Sequence, residues 1–232
     1  MTTDPLALMA EVDRATDRLI ATAAAFDDAA VAAPSLLPGW TRGHVLAHVA
    51  RNADGMRNLL TWARTGVVTL QYEPGQREAD IEAYASRPAA EHLDDLRASA
   101  AAYSAAAASL TPEQWTTTLD VPGHPQSAAF GVWRRLREVE VHHVDLGAAY
   151  GASDWPDWFG HRLLHEVVSD LDSSVPLVLQ PAGAGHPLVV GADGPVISGS
   201  ACALAAWLTG RSSGADLSVS PSGPLPTLPT WM

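Results

Sequence analysis

The sequence predicts an α+β protein: a four-helix bundle over residues 1–151, followed by a smaller α+β domain over residues 152–232. Three observations carry this expectation. The first 150 residues hold long runs with apolar residues at helical spacing, punctuated by caps, Pro and Gly. After Gly151 the texture changes to short apolar runs separated by Gly, Pro and Asp, the pattern of strands. With 232 residues, 47% of them hydrophobic and 17% charged, the chain is long and apolar enough to bury a core, which rules out disorder along its length.

The elements follow in order. A first helix is expected from Asp4 to about Ala33, with Leu6, Met9, Val12, Leu19 and Ile20 among many Ala and with Pro34 as its stop. Leu37-Pro38-Gly39-Trp40 reads as a turn. Thr41 then caps a second helix whose stripe of Val45, Leu46, Val49, Met56, Leu59, Leu60 and Trp62 runs to Gly66. A looser segment, Tyr72 to Ser86, leads to Pro88 and a third helix through Leu93, Leu96, Ala100, Tyr103 and Leu110. Thr111-Pro112-Glu113 starts a short extra turn, and the breakers from Asp120 to Pro125 precede a fourth long helix, Ala128 to Tyr150, ended by Gly151. Trp155-Pro156 opens a helix through Leu171. Residues 175–180, 187–191 and 195–198 read as strands, Ser200 to Thr209 as a compact helix closed by Gly210, and Asp216 to Ser220 as a last strand before a Pro-rich tail.

Composition narrows the partners. The 26 acidic residues face 14 basic ones, all Arg, and the net charge of −12 argues against nucleic acid or an anionic membrane. One cysteine, Cys202, excludes an intrachain disulfide and a Cys-based zinc knuckle, and it fits a reducing cytoplasm. The acidic start lacks the basic flank and apolar run of a secretory signal, and no run approaches the roughly 20 apolar residues of a membrane span. A soluble, cytoplasmic protein is expected.

Candidate chemistry is densest on the fourth helix. Glu138, His142 and Asp145 lie at i, i+4 and i+7 and share one helix face, so one helix offers two metal ligands and a neighbour must supply the third. The second helix carries His44 and His48 at i, i+4, with Asn52 a turn further on. Facing helices of a bundle are a usual place to close such a site, and three protein ligands leave a position open for catalysis. The competing reading is an ion pair on an acidic helix, a cap contact and a core histidine. The residues between His44 and His48, Leu46 and Ala47 among them, include no Glu, so the pattern lacks the central Glu of the HExxH zinc proteases, and Cys202, in an apolar helix, reads as a small hydrophobe. Walker and G-x-S-x-G signatures are absent. Arg211, after the Gly210 helix stop, offers either a bidentate fork to a carboxylate or a contact to the helix end; Arg77 is a second anion contact or a solvated charge.

Three blocks in the same order, Leu37-Pro-Gly-Trp-Thr-Arg-Gly-His-Val-Leu-Ala-His48 through Asn52, Arg137-Glu138 through His142 to Asp145-Leu-Gly, and Val196-Ile-Ser-Gly-Ser200 with Gly210-Arg211, resemble the mycothiol-dependent maleylpyruvate isomerases. Asn58 to Gly66 and the closing Pro-Thr-Trp extend the likeness. It implies a DinB-like bundle with a divalent metal, typically zinc, bound by His48, Glu138 and His142, and with mycothiol as thiol cosubstrate. His44 and His143 are not carried over as ligands. Asp145 matches a polar residue near the metal, where it would orient a ligand or the thiol or handle a proton. Arg211 matches the arginine that holds a substrate carboxylate. The implied substrate is a small cis-enedioyl acid: a metal-bound thiolate adds to the cis double bond of maleylpyruvate, the adduct rotates, and elimination returns fumarylpyruvate, as in aromatic catabolism downstream of gentisate. A mycothiol S-transferase and a non-catalytic, metal-binding regulatory module remain as alternatives.

Overall fold

The computed structural model describes residues 4–121, 125–171, 175–192, 194–228 and 231. The chain divides into two compact units, between Tyr150 and Gly151. The first is helical: α1 (Pro5–Ala23), α2 (Asp28–Ala32), α3 (Arg42–Thr65), α4 (Gln76–Ala85), α5 (Ala89–Ala108), α6 (Pro112–Trp115) and α7 (Ala128–Asp145), with a two-residue hairpin β1 (Thr118–Leu119) and β2 (Gln126–Ser127) before α7. The four long helices pack in the cyclic order α1–α5–α3–α7. Their inward stripes, including Leu8, Val12 and Leu19 of α1, Val45, Leu46 and Val49 of α3, Leu96 and Tyr103 of α5, and Val132, Leu136 and Val139 of α7, are all buried. At about 1.5–3 kcal/mol for each large apolar side chain taken from water, this core is what holds the bundle.

Three helix boundaries differ from expectation. The first predicted helix is two helices, because the Asp27 side chain accepts a hydrogen bond from Ala30 N and starts α2 instead of continuing α1. The looser segment contains α4, which buries Ile81 and Ala85. The fourth helix stops at Asp145 and not at Tyr150, because Gly147 takes a left-handed conformation (φ 60°). Of the predicted breaker loop, Pro122-Gly123-His124 lies outside the described residues, as do Pro229-Thr230 of the tail.

The second unit opens with a 3-10 turn (Ala152–Asp154) and α8 (Asp157–Asp170). A four-stranded sheet follows, in the order β4 (Leu188–Val190), β3 (Leu177–Pro181), β5 (Val196–Gly199) and β6 (Ser218–Ser220); β3 and β5 are parallel and the other pairs antiparallel. Helix α9 (Ala201–Leu208) packs on β3, β5 and α8. Alternation along β3 puts Leu177 and Leu179 inside, and Ser200 caps α9 by accepting from Ala203 N. The fold is thus a helical N-terminal part followed by a smaller α+β part. Among the described residues no helix is long and apolar enough to cross a membrane.

Candidate functional site

Helices α3 and α7 are neighbours in the bundle, and their facing sides bring His48, Glu138 and His142 together, one ligand atom from each lying within 4.8 Å of the others. His48 Nε2 is 2.9 Å from Glu138 Oε2, and His142 Nε2 is 3.5 Å from the same oxygen. The imidazole rings of His48 and His142 meet edge to face at 4.4 Å.

Local structure explains each placement. Proline and glycine in Leu37-Pro38-Gly39-Trp40 make a tight turn, Gly39 at φ 79° and Trp40 N donating to Leu37 O, which returns the Trp40 ring to His44 (5.9 Å) and His48 (5.8 Å). Thr41 and His44 close a capping box, so His44 is committed to the start of α3, with Glu82 3.6 Å away. One turn later comes His48, which is buried. The far end of α7 is held by the start of α3: Arg42 donates to Leu146 O (2.7 Å) and Gly147 O (3.0 Å), and Leu36 N to Asp145 O (2.9 Å). Sequence reasoning missed this clamp. Arg42 lies inside the quoted motif, but its partners are more than a hundred residues away. Between the two ends, buried Arg135 reaches from α7 to Val49 O (2.8 Å) and Asn52 Oδ1 (2.9 Å) on α3.

The electrostatics separate the two imidazoles. Burial, then the charge of His142, lowers the His48 pKa to about 4, against the pull of Glu138. Burial acts on His142 in the same sense, but hydrogen bonds to Asp145 and Glu138 outweigh it and raise its pKa. Burial opposes the charge on Glu138 too; the bonds from His142 and His48 outweigh it and hold the carboxyl well below the usual range. The buried Asp145 lies 2.8 Å from His142 Nδ1, the carboxylate–histidine pairing that orients metal-binding imidazoles. Two imidazole nitrogens and a carboxylate oxygen at this spacing, one ring already oriented by Asp145, fit a divalent ion of borderline softness.

The remaining predicted residues are placed as follows. Arg77, in α4, directs Nη2 to His48 Nδ1 at 3.3 Å and Nη1 to Glu78 at 3.0 Å. His143 points to the other side of α7, stacked on Tyr150 at 3.8 Å and bonded to Thr22 at 2.8 Å. Arg211 belongs to the second unit, where Nη1 donates to Thr209 O at 2.7 Å and the guanidinium lies 5.8 Å from the Trp231 ring. Cys202 is buried in α9 against Trp155 O.

Comparison with known proteins bears on the whole chain. The family model described as the mycothiol maleylpyruvate isomerase N-terminal domain matches residues 12–147, and that of the MDMPI C-terminal domain matches residues 146–230. Two solved structures, one of a mycothiol-dependent maleylpyruvate isomerase and one of a histidine-to-alanine mutant of that enzyme, match at TM-scores of 0.92 and 0.91. Each is 28% identical to this chain and is covered over 100% of both chains. A search of curated proteins finds no match. The match to more than half the chain, joined to the His48, Glu138 and His142 cluster, places this protein in the mycothiol maleylpyruvate isomerase family.

Proposed function

We propose that this protein is a metal- and mycothiol-dependent isomerase that converts maleylpyruvate to fumarylpyruvate. The observation that carries the reading is the convergence of His48, Glu138 and His142 from adjacent helices in a chain matched along its length by this family. The protein's one thiol, Cys202, is buried within α9, so the nucleophile has to arrive with a cosubstrate. Family membership names that cosubstrate as mycothiol.

His48, Glu138 and His142 would hold a divalent ion, which we take to be zinc from the mixed nitrogen and oxygen donors. When bound, that ion lowers the pKa of a thiol so that it is a thiolate near neutral pH. The rest is the work of the chain and its substrates. Asp145 keeps the His142 ring in register. Arg77 provides positive charge beside His48 for the thiol or for a substrate carboxylate, and the likeness of the Gly210-Arg211 motif to the family supports a carboxylate-holding role for Arg211. The thiolate sulfur bonds to an alkene carbon and the π pair moves toward the oxo oxygen. The former double bond turns as a single bond, and return of the pair expels the thiolate and leaves the trans alkene. The likeness to isomerases over the full chain favours this outcome over an S-transferase or a non-catalytic module. An omission series tests it: loss of maleylpyruvate absorbance should require both mycothiol and the metal, and should stop when either is withheld. Equal rates without mycothiol would refute the reading.

A further inference from the structure

A cavity of about 380 Å³ opens between α2, the start of α3 and the end of α4, wholly within the helical unit and outside the His48, Glu138 and His142 cluster. Small-molecule sites span about 300–1,000 Å³, so its size is that of a ligand site. Its frame is fixed by close packing. Gly43 lets α3 approach α4 so nearly that a Cβ there would collide with Ala85 O and fall 3.1 Å from Val31 Cγ1, and Asp28 Oδ1 accepts from Ala89 N at 2.8 Å. Val31, Ala32, Ala85 and Pro88 give the cavity apolar walls, and Asp28, His44, Glu82 and Arg87 give it polar ones.

The polar walls interleave donors with acceptors. His44 Nδ1 accepts from Thr41 N at 3.1 Å, so the ring's N–H is at Nε2, which faces Glu82 Oε2 across 3.6 Å, too far for a hydrogen bond. A hydroxyl, donor and acceptor in one, can take the imidazole N–H and give its own proton to the carboxylate. An anion would meet Asp28 and Glu82, and an ammonium has no acceptor to offer His44 or Arg87. The cavity therefore suits a neutral, hydroxyl-rich ligand whose C–H faces rest on the apolar walls.

The same seam of the bundle leads from this cavity to the ligand cluster. His44 and His48 stand one turn apart on one face of α3, about 6 Å along its axis. Helix α4 runs beside both, with Arg77 3.3 Å from His48 and Glu82 3.6 Å from His44. Resting on the isomerase reading, we propose that the cavity binds the polyol end of mycothiol, its inositol–glucosamine glycan, while the thiol lies at the ligand cluster. Five bonds separate the sulfur of mycothiol from its glucosamine ring, about 6 Å when extended, which matches the step from His48 to His44. One hydroxyl of the glycan bridges His44 Nε2 and the Glu82 carboxylate.

The thiol-free glycan, N-acetylglucosaminyl-inositol, titrated into the full-length protein, reads the cavity without metal, thiol or turnover. It should shift the His44 imidazole signals in proton–carbon NMR and bind Glu82→Ala about tenfold more weakly, the effect of deleting a charged hydrogen-bond partner. Glu82 is exposed and Ala suits a helix, so the variant should keep the parent's Tm. With zinc-loaded protein, Glu82→Ala should raise the Kd of mycothiol by the same factor and leave that of N-acetylcysteine, which lacks the glycan, unchanged. No glycan binding to the parent, binding that leaves His44 unmoved, equal binding to both proteins, or an equal loss for N-acetylcysteine overturns the site. A parent that binds the glycan through His44 and Glu82, yet does not isomerise maleylpyruvate, upholds the polyol site and defeats the isomerase reading. An active isomerase whose mycothiol Kd ignores Glu82→Ala defeats the polyol site alone.

Discussion

Asp145→Asn changes one charge in a site otherwise left intact. Asp145 is buried and lies 2.8 Å from His142 Nδ1, so the substitution keeps an acceptor of the same size and removes only its charge. A hydrogen bond to an ionised partner contributes about 1.5–3 kcal/mol and a neutral one about 0.5–1.5 kcal/mol. The difference of about 1–1.5 kcal/mol predicts zinc binding roughly tenfold weaker. The effect should depend on pH. Asp145 also favours the protonated His142 ring, whose pKa it helps to raise, so below that pKa the metal and the proton compete for a ring that Asp145 stabilises in both forms. The deficit should therefore be largest at alkaline pH and shrink as the solution is acidified. Competition against a chromophoric chelator at several pH values measures it. Unchanged affinity at every pH would refute the orienting role of Asp145, and lost activity with intact metal binding would move Asp145 to proton or thiol handling.

Other consequences follow from the same geometry. His48→Ala should remove metal binding and isomerase activity while circular dichroism stays helical, because the core stripes of α3 remain; an unfolded variant would mean that the cluster is structural. Metal binding should release protons and tighten as pH rises, since the raised His142 must lose its proton to become a ligand, whereas His48, at about 4, is already neutral at pH 7. Calorimetry in buffers of different ionisation enthalpy detects that release, and its absence would contradict the charge assignment. Glu140→Ala leaves Arg18 and the Tyr150 hydroxyl without the buried carboxylate that receives both (2.7 and 2.5 Å), and should cost about 2 kcal/mol in urea unfolding. Gly160→Ala places a Cβ against Cys202 Sγ and 2.9 Å from Cys202 N, and should destabilise the second unit by about 1–3 kcal/mol; a urea midpoint equal to the parent's would show that α8 can shift.

The long helices were legible because their apolar stripes and caps are local: Thr41 and Gly66 bound α3 as expected. The break at Asp27 was hidden by Ala-rich sequence on both sides, where helix propensity and a capping side chain compete. Helix α4 was hidden because it buries few residues, and the early end of α7 because Arg42 and Leu36, which satisfy its last carbonyls, are distant in sequence. The site follows the same rule. Glu138, His142 and Asp145 declare themselves by spacing on one helix, but that His48 and not His44 meets them depends on the packing of α3 beside α7 and on the cap that occupies His44.

The central claim is that the thiol is borrowed and returned. The most direct measurement is proton NMR of maleylpyruvate incubated with zinc-loaded protein and substoichiometric mycothiol, reading the alkene coupling constant and the mass of the product together. The account predicts complete conversion to a trans alkene of unchanged mass, with mycothiol recovered and many turnovers for each thiol. A product carrying sulfur, formed once for each mycothiol consumed, would contradict it and establish a transferase.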